Sequence, residues 1–425
     1  MTSNTTAKQA PTEAYVWTWL PGKTYPVVAG RLSAAENGYP FNYGRRYLAR
    51  DDAIPLYIPE LPLQPGLLPL LPGLFIPGCL RDASPDAWGR RVIINRLLGE
   101  GSPHTDTTVL DELTYMLTSG SDRVGAIDFQ ASPDEYVPRL AEQASLEQLI
   151  EAADLVEKGR ALPPGLTQAM LHGTSLGGAR PKALIEDRNR KYVAKFSSSS
   201  DLYAVIKAEF VAMRIGARIG LDVARIKRVT VGGKDVLLVE RFDRQKAPGG
   251  WQRRAVVSAL TLLELDEMMA RYASYEHLAE IIRHRFVAPQ NTLREMFGRL
   301  VFNVLCGNTD DHARNHAAFW DGNHLALTPA YDICPQARTG NEASQAMLIA
   351  GGNRASRVDV CILAARQFLL SETEARALID QQIEGIHKHW ESVCDEAELS
   401  AADRNLLWRR QFLNPYALGH GVGPS

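Results

Sequence analysis

The stretch N-T-D-D-H-A-R-N, residues 308–315, sets two adjacent carboxylates, a histidine and an asparagine directly after the apolar run Leu300-Val301-Phe302-Asn303-Val304-Leu305. A helix-forming segment that ends in so dense a cluster of acceptors is either a capped, solvated terminus or a chemical site. Spacing separates the two aspartates. A phosphoryl-transfer site needs a carboxylate to orient the accepting hydroxyl, and an asparagine and a second carboxylate to hold Mg²⁺ against phosphates. The first two lie as D-x-x-x-x-N, a spacing that Asp310 and Asn315 satisfy and Asp311 does not.

The second carboxylate is expected from a neighbouring strand. Downstream, Asp321-Gly322-Asn323 between two apolar runs reads as a hairpin turn within 316–327, and Thr328-Pro329-Ala330-Tyr331-Asp332 follows it. The order base, asparagine, metal acid is complete with Asp332. Around this core the pattern is helical: residues 255–272, 275–285, 292–305, 371–389 and 401–413 carry a helix-period apolar face.

Upstream the chain supplies the partners that ATP chemistry requires, in order. Gly173 to Gly178 forms a glycine-containing loop, and Lys191-Tyr192-Val193-Ala194-Lys195-Phe196 alternates as a strand. Residues 207–220 read as a helix ended by glycine, and Val236-Leu237-Leu238-Val239-Glu240 as a buried strand before Arg241-Phe242-Asp243-Arg244. Glu209 on the intervening helix is placed to pair with Lys195. The loop is not a Walker A motif, because no G-K-[ST] follows. Each motif alone has a bland reading as a turn, an edge-strand lysine or a surface acid; the ordered set favours a kinase-like site.

The first third of the chain has another grammar. Short β-type runs at 15–19 and 26–30 precede the proline-heavy segment 54–78, which cannot be helical throughout because each proline removes a backbone donor. Ser84-Pro85-Asp86 opens a helix with Ser84 as cap, and Ser145 with Gln148 forms a capping box for the helix that runs to Gly159. The sequence predicts a disordered tail over 1–14, an N-terminal subdomain over 15–165 ending near Leu162-Pro163-Pro164-Gly165, an ATP-cradling small lobe over 166–255, a helical catalytic lobe over 256–414 and a flexible tail over 415–425. The fold class is α+β: a protein-kinase-like two-lobed fold, β-rich small lobe and all-helical large lobe, preceded by a mixed β/α subdomain.

Composition bounds the function classes. The 425 residues are 45% hydrophobic and 23% charged, and 47 basic against 49 acidic residues give a net charge of -2. That balance lacks the electrostatic footprint of a protein built chiefly to grip nucleic acid. Five scattered cysteines without a C-x-x-C pair suggest neither a disulfide framework nor a zinc site. No apolar run approaches the ~20 residues that span a bilayer, so the sequence predicts a cytoplasmic protein without a membrane partner.

The combination T-S-L-G-G-A-R-P-K (174–182), V-A-K-F (193–196), V-E-R-F-D-R (239–244), N-T-D-D-H-A-R-N (308–315) and P-A-Y-D-I (329–333) resembles the HipA family of bacterial serine/threonine kinases, toxins of type II toxin–antitoxin modules. S-P-D-A-W-G-R (84–90), D-R-V-G-A (122–126) and L-I-A-G-G-N-R (348–354) extend the similarity across nearly the whole chain.

The resemblance implies Asp310 as catalytic base, Asn315 and Asp332 as Mg²⁺ ligands, and Lys195, with Gly177 and Gly178 of the loop, at the ATP phosphates. It implies the backbone of Glu240 and Phe242 at adenine, and Asp243 and His312 near the ribose. Ser175 matches the family's autophosphorylated serine; a phosphate there adds roughly -1.5 to -2 charge to a loop that receives ATP phosphates, which would switch the kinase off. The implied partners are a helix-turn-helix, HipB-like antitoxin, DNA indirectly through it, and a protein substrate in translation such as an aminoacyl-tRNA synthetase. A small-molecule phosphotransferase and a catalytically silent co-repressor scaffold are the alternatives. Asp311, outside the D-x-x-x-x-N register, is the aspartate whose loss is expected to cost least.

Overall fold

The computed structural model describes residues 10–98, 106–140, 144–171, 178, 180–198, 201–338 and 340–419. The chain forms two compact units: residues 1–179 with 247–253, and residues 180–246 with 254–425. Among the described residues no helix is long and apolar enough to cross a membrane.

The first unit is mixed β/α. Strands β1 (Glu13–Thr18), β2 (Val27–Ser33), β3 (Phe41–Tyr43), β4 (Leu67–Leu68) and β5 (Ile127–Gln130) make one antiparallel sheet in the order β4-β3-β2-β1-β5. The proline-rich segment contributes only β4, at the sheet edge, where missing donors cost least. The Ser145–Gln148 capping box is present and starts the helix Leu146–Glu157. The helix after Ser84-Pro85-Asp86 spans Ala87–Leu98, and its first intrahelical bond runs from Arg90 N–H to the carbonyl of Asp86. Asp86 therefore stands at its threshold. The expected cap, Ser84, has a buried hydroxyl without a hydrogen-bond partner among the described residues, because it sits two residues before the threshold, ahead of the proline. Arg123 of the D-R-V-G-A stretch is wholly buried and bonds Asp128 at 2.7 Å, with Arg139 at 2.8 Å sharing the same carboxylate.

The second unit carries the two lobes. Strands β6 (Lys182–Glu186), β7 (Lys191–Phe196), β8 (Ile226–Val231) and β9 (Lys234–Glu240) form an antiparallel sheet in the order β6-β7-β9-β8. The helix Val205–Arg218 follows β7 and stops before Gly220, whose φ of 98° a side chain would resist. The larger lobe is built on the helices Tyr275–Arg285, Pro289–Cys306 and Glu372–Glu396. Phe297, Leu300, Val301, Phe302 and Val304 of the middle one are fully buried.

Two helix expectations are corrected here. Residues 255–272 do not form one helix, and the larger lobe is not all-helical. Ala255–Ser258 is a strand paired with Ala317–Trp320, which in turn pairs with Leu325–Leu327 across the expected hairpin. The β-branched Val256 and Val257 sit opposite Phe319 and Ala318, and cross-strand packing outweighs a weak helical period. Ser258 then caps the short helix Ala259–Leu262, and Asp266 caps a 3-10 turn over Glu267–Tyr272. The last helix, Ala401–Leu407, also stops short of residue 413: Trp408 turns extended with ψ 128°, and Arg409 follows at φ 64°.

The Pro289–Cys306 helix ends at Gly307, which takes φ 74° and lies so close to Gln411 that a Cβ would meet its carbonyl oxygen at 2.9 Å. Both features exclude a side chain. Gly307→Ala is expected to destabilise the protein by about 1–3 kcal/mol, measured as a lowered urea midpoint with an unchanged slope.

Candidate active site

Lys195 lies on β7 between its register partners Lys182 on β6 and Leu237 on β9. Its ammonium bridges Glu209 Oε1 at 2.5 Å and Asp332 Oδ1 at 2.5 Å. Glu209 sits in the second turn of the Val205–Arg218 helix and is 1% exposed, so the pair expected from sequence is formed and buried. Asp332 comes from the other lobe. The backbone before it is fixed by a parallel bridge between Val223 and Ala330, and Asp332 itself adopts φ 59°, an uncommon conformation for a non-glycine residue.

The charges are mutually dependent. Burial alone would push the Asp332 carboxyl up, yet the Lys195 ammonium, helped by Lys182 and His312, holds it down to about 2. Burial alone would likewise push Lys195 down, and its two carboxylate partners instead hold it above the ordinary lysine range. Glu209, fully enclosed and near the Asp332 charge, is raised. The shared ammonium gives the enclosed Glu209 and Lys195 charges a partner each, with the partly exposed Asp332 as the third member.

Asp310 and Asn315 stand on the turn after Gly307. The Asn315 side-chain amide donates to the Asp310 carbonyl at 3.1 Å, and the Asn315 and His312 amides close two short turns at 2.8 and 2.9 Å. That bond uses the amide nitrogen and leaves the Asn315 oxygen as an acceptor. Asp310 is exposed. Its carboxyl is raised, first by partial desolvation and then by Asp332 and Asp311, with His312 opposing. His312 is half-buried, and its Nδ1 is buried without a partner among the described residues.

At the end of β9, Glu240 donates its N–H to Arg225 and Arg241 donates to Lys191. Phe242 then packs edge-on to Phe319 and tilted against Tyr331, with centroids 5.8 and 5.6 Å apart. Asp243 is placed differently from a free ribose acceptor. It is 4% exposed, bidentate with Arg241 at 2.9 and 2.8 Å, and also accepts from Arg244 at 3.0 Å. Gly178 takes φ 101° and donates its N–H to the Asp86 carboxylate. Ser175 and Gly177 lie outside the described residues.

Asp311 overturns its expectation. It is 1% exposed, accepts the Tyr275 hydroxyl on Oδ2, and faces His316 Nε2 at 2.9 Å on Oδ1. The D-x-x-x-x-N spacing singles out Asp310 for chemistry but is silent about burial, and the carboxylate that looked dispensable is the one the fold encloses. Sequence reading also passed over Tyr275 and His316; the only trace was a histidine directly after Asn315. Lys182 was read as part of a motif without a role, although it is 3% exposed beside Lys195. Among the described residues no group of three or more His, Cys, Asp or Glu is arranged to hold a metal ion.

Removing the Asp311 carboxylate takes one hydrogen-bond partner from each of two buried groups, the Tyr275 hydroxyl and the His316 imidazole. Asp311→Ala is expected to cost about 2–4 kcal/mol, and Asp310→Ala, at an exposed position, less than about 0.5 kcal/mol. Paired urea denaturation curves check the contrast.

Comparison with known proteins agrees with this architecture. The model of the HipA-like C-terminal domain matches residues 174–390, just over half of the chain. The protein Y4mE of Sinorhizobium fredii is 27% identical over 57% of this chain and 60% of its own length. The serine/threonine-protein kinase toxin HipA of Shewanella oneidensis is 25% identical over 37% of this chain and 42% of its own. The chain thus spans less than two thirds of the length of the curated relatives it matches. The solved complex of Shewanella oneidensis HipA with HipB and operator DNA superposes with a TM-score of 0.68 at 20% identity, covering 93% of this chain and 96% of that one. The fold is therefore that of HipA, and the chain belongs to the HipA family.

Proposed function

We propose that this chain is an Mg²⁺- and ATP-dependent protein serine/threonine kinase acting in the cytoplasm as the toxin of a toxin–antitoxin module. The observation that carries the reading is the Lys195 ammonium held between Glu209 and Asp332. In protein kinases the lysine–glutamate pair and the metal-binding aspartate must both be in place for transfer.

The residues fit the groups that the reaction needs. Asn315 and Asp332 present hard oxygen donors, and Mg²⁺ is ordinarily bound by one or two such side chains with waters and substrate phosphates rather than in an all-protein cage. When bound, the ion would neutralise charge building on the phosphates. The buried Nδ1 of His312, without a partner among the described residues, fits a nucleotide hydroxyl, and the Phe242 corner after β9 suits an adenine edge held by the backbone of Glu240 and Phe242. Asp243, clamped by two arginines, would support that corner and reach the ribose only with one of its remaining lone pairs.

In this reading Lys195 orients the ATP phosphates and Glu209 keeps its ammonium in place. Asp310 accepts the proton of the substrate hydroxyl as its oxygen bonds to the γ-phosphorus and ADP leaves. The raised carboxyl of Asp310 suits a base that must take a proton. Ser175, with Gly177 and Gly178, belongs to the proposed phosphate loop, and its autophosphorylation would be the off-switch. The substrate would be a translation component such as an aminoacyl-tRNA synthetase, whose modification arrests growth. The HipB of the Shewanella oneidensis complex supports a HipB-like antitoxin as partner, with DNA reached through it.

Asp310→Ala is expected to lower phosphoryl transfer about 10²- to 10⁴-fold while Mg-ATP still binds. Asp332→Ala should instead abolish the Mg²⁺-dependent part of nucleotide affinity. Incubating wild type and Asp310→Ala with labelled ATP and a cell lysate tests the reading; equal labelling by both would refute it. Phosphopeptide mapping of the wild-type enzyme should find phosphate on Ser175, and an active enzyme without it removes the proposed switch.

A further inference from the structure

We propose that Asp311 is a positioning residue of phosphoryl transfer: with Tyr275 and His316 it forms a buried clamp that fixes the turn carrying Asp310 and Asn315. The inference rests on the kinase reading above for its effect on rate, but the clamp itself is a property of the fold.

Asp310 and Asp311 are neighbours with opposite fates, one exposed and one 1% exposed. Burying the second fixes where the first points. The turn's own hydrogen bonds, from His312 and Asn315 back to Asp310 and His312, hold it together internally without anchoring it to the lobe. Its backbone is tied outward at both ends, where Ala346 N–H donates to Thr309 and Ala259 N–H donates to His316 at 2.7 Å. Between those ends the Tyr331 hydroxyl donates to the Arg314 carbonyl at 2.8 Å, and the fully enclosed side-chain anchor is the Asp311 carboxylate.

The other members of the clamp are rigid. Tyr275 is 0% exposed and opens the Tyr275–Arg285 helix, with its own N–H bonded to Leu348 and the helix capped by Ser274. Its hydroxyl lies 3.0 Å from His316 Nε2, and the two rings meet edge-on with centroids 5.5 Å apart. His316 is 4% exposed and leads into the strand Ala317–Trp320. Behind them, Asn308 donates to Asn303 at 2.9 Å across the end of the Pro289–Cys306 helix. The carboxylate therefore joins a helix start and a strand start to the turn that follows the Pro289–Cys306 helix. No charge is transferred through the clamp; each of its two oxygens simply has one fixed partner.

This geometry makes a distinctive prediction. Asparagine retains one acceptor for the Tyr275 hydroxyl, and its amide N–H can face His316 Nε2 in the other imidazole tautomer. Asp311→Asn should therefore keep the clamp, whereas Asp311→Ala removes it. Steady-state transfer kinetics should show kcat reduced about 10- to 100-fold in Asp311→Ala with KM for ATP within about threefold, since small displacements of a catalytic group cost rate rather than binding. Asp311→Asn should recover to within about fivefold of wild type. Hydrogen exchange of the amides of residues 309–316 should be faster in Asp311→Ala and unchanged in Asp310→Ala, with β7 protected in both. If Asp311→Ala fails to fold, Tyr275→Phe, which deletes one bond of the clamp, should show the same signs at smaller size.

Wild-type kcat in Asp311→Ala, a KM effect without a kcat effect, or an Asp311→Asn variant as poor as alanine would overturn the proposal. Wild-type enzyme that transfers no phosphate would remove the kinase reading instead. The exchange experiment then decides the clamp alone: selective loosening of 309–316 supports it, and identical exchange in the two variants rejects it.

Discussion

One ammonium ion organises the second unit. Lys195 is delivered by a strand of the small lobe, and its two carboxylate partners come from a small-lobe helix and from the segment after the larger lobe's hairpin. The Lys195 and Glu209 charges, at 12% and 1% side-chain exposure, would be costly there alone, because an isolated buried charge is expensive to desolvate. Pairing among all three lets the sheet β6-β7-β9-β8, the Val205–Arg218 helix and the Ala330-Tyr331-Asp332 segment converge on a single point. The positive φ of Asp332 fits that requirement, since an ordinary backbone conformation would aim its side chain elsewhere.

Around this point the protein divides similar side chains between exposed and enclosed positions. Asp310 and Asp311 are identical residues in adjacent positions, and the fold exposes one and encloses the other. Glu209 and Asp332 both pair Lys195, but Glu209 is enclosed within the small lobe and raised, while the more exposed Asp332 is held down. Arg241 and Arg244 enclose Asp243 and so stiffen the corner at which Phe242 meets the larger lobe. In each case the more enclosed side chain is the one with the more complete set of partners.

Much of the fold was legible because its signals are local. The capping box at Ser145, the glycine after the Val205–Arg218 helix and the hairpin at Asp321-Gly322-Asn323 each depend on a few neighbouring residues whose backbone preferences are strong. The Lys195–Glu209 pair was accessible too, since a strand followed by a helix leaves few ways for those two to meet. The strand Ala255–Ser258 was misread as helix because its partner, Ala317–Trp320, lies some sixty residues away and supplies the packing that decides the matter.

Sequence by itself determined the order of the chemical groups: a lysine on a strand, an acid on the next helix, then aspartate, asparagine and aspartate. It did so because spacing along a chain is a one-dimensional property. Only tertiary structure decided which of two consecutive aspartates is buried, that Tyr275 and His316 hold it, that Asp243 is locked by two arginines, and that Lys182 stands beside Lys195. Those outcomes depend on solvent exclusion and on partners distant in sequence, and the same D-D pair acquires two unlike members only when the lobe closes around one of them.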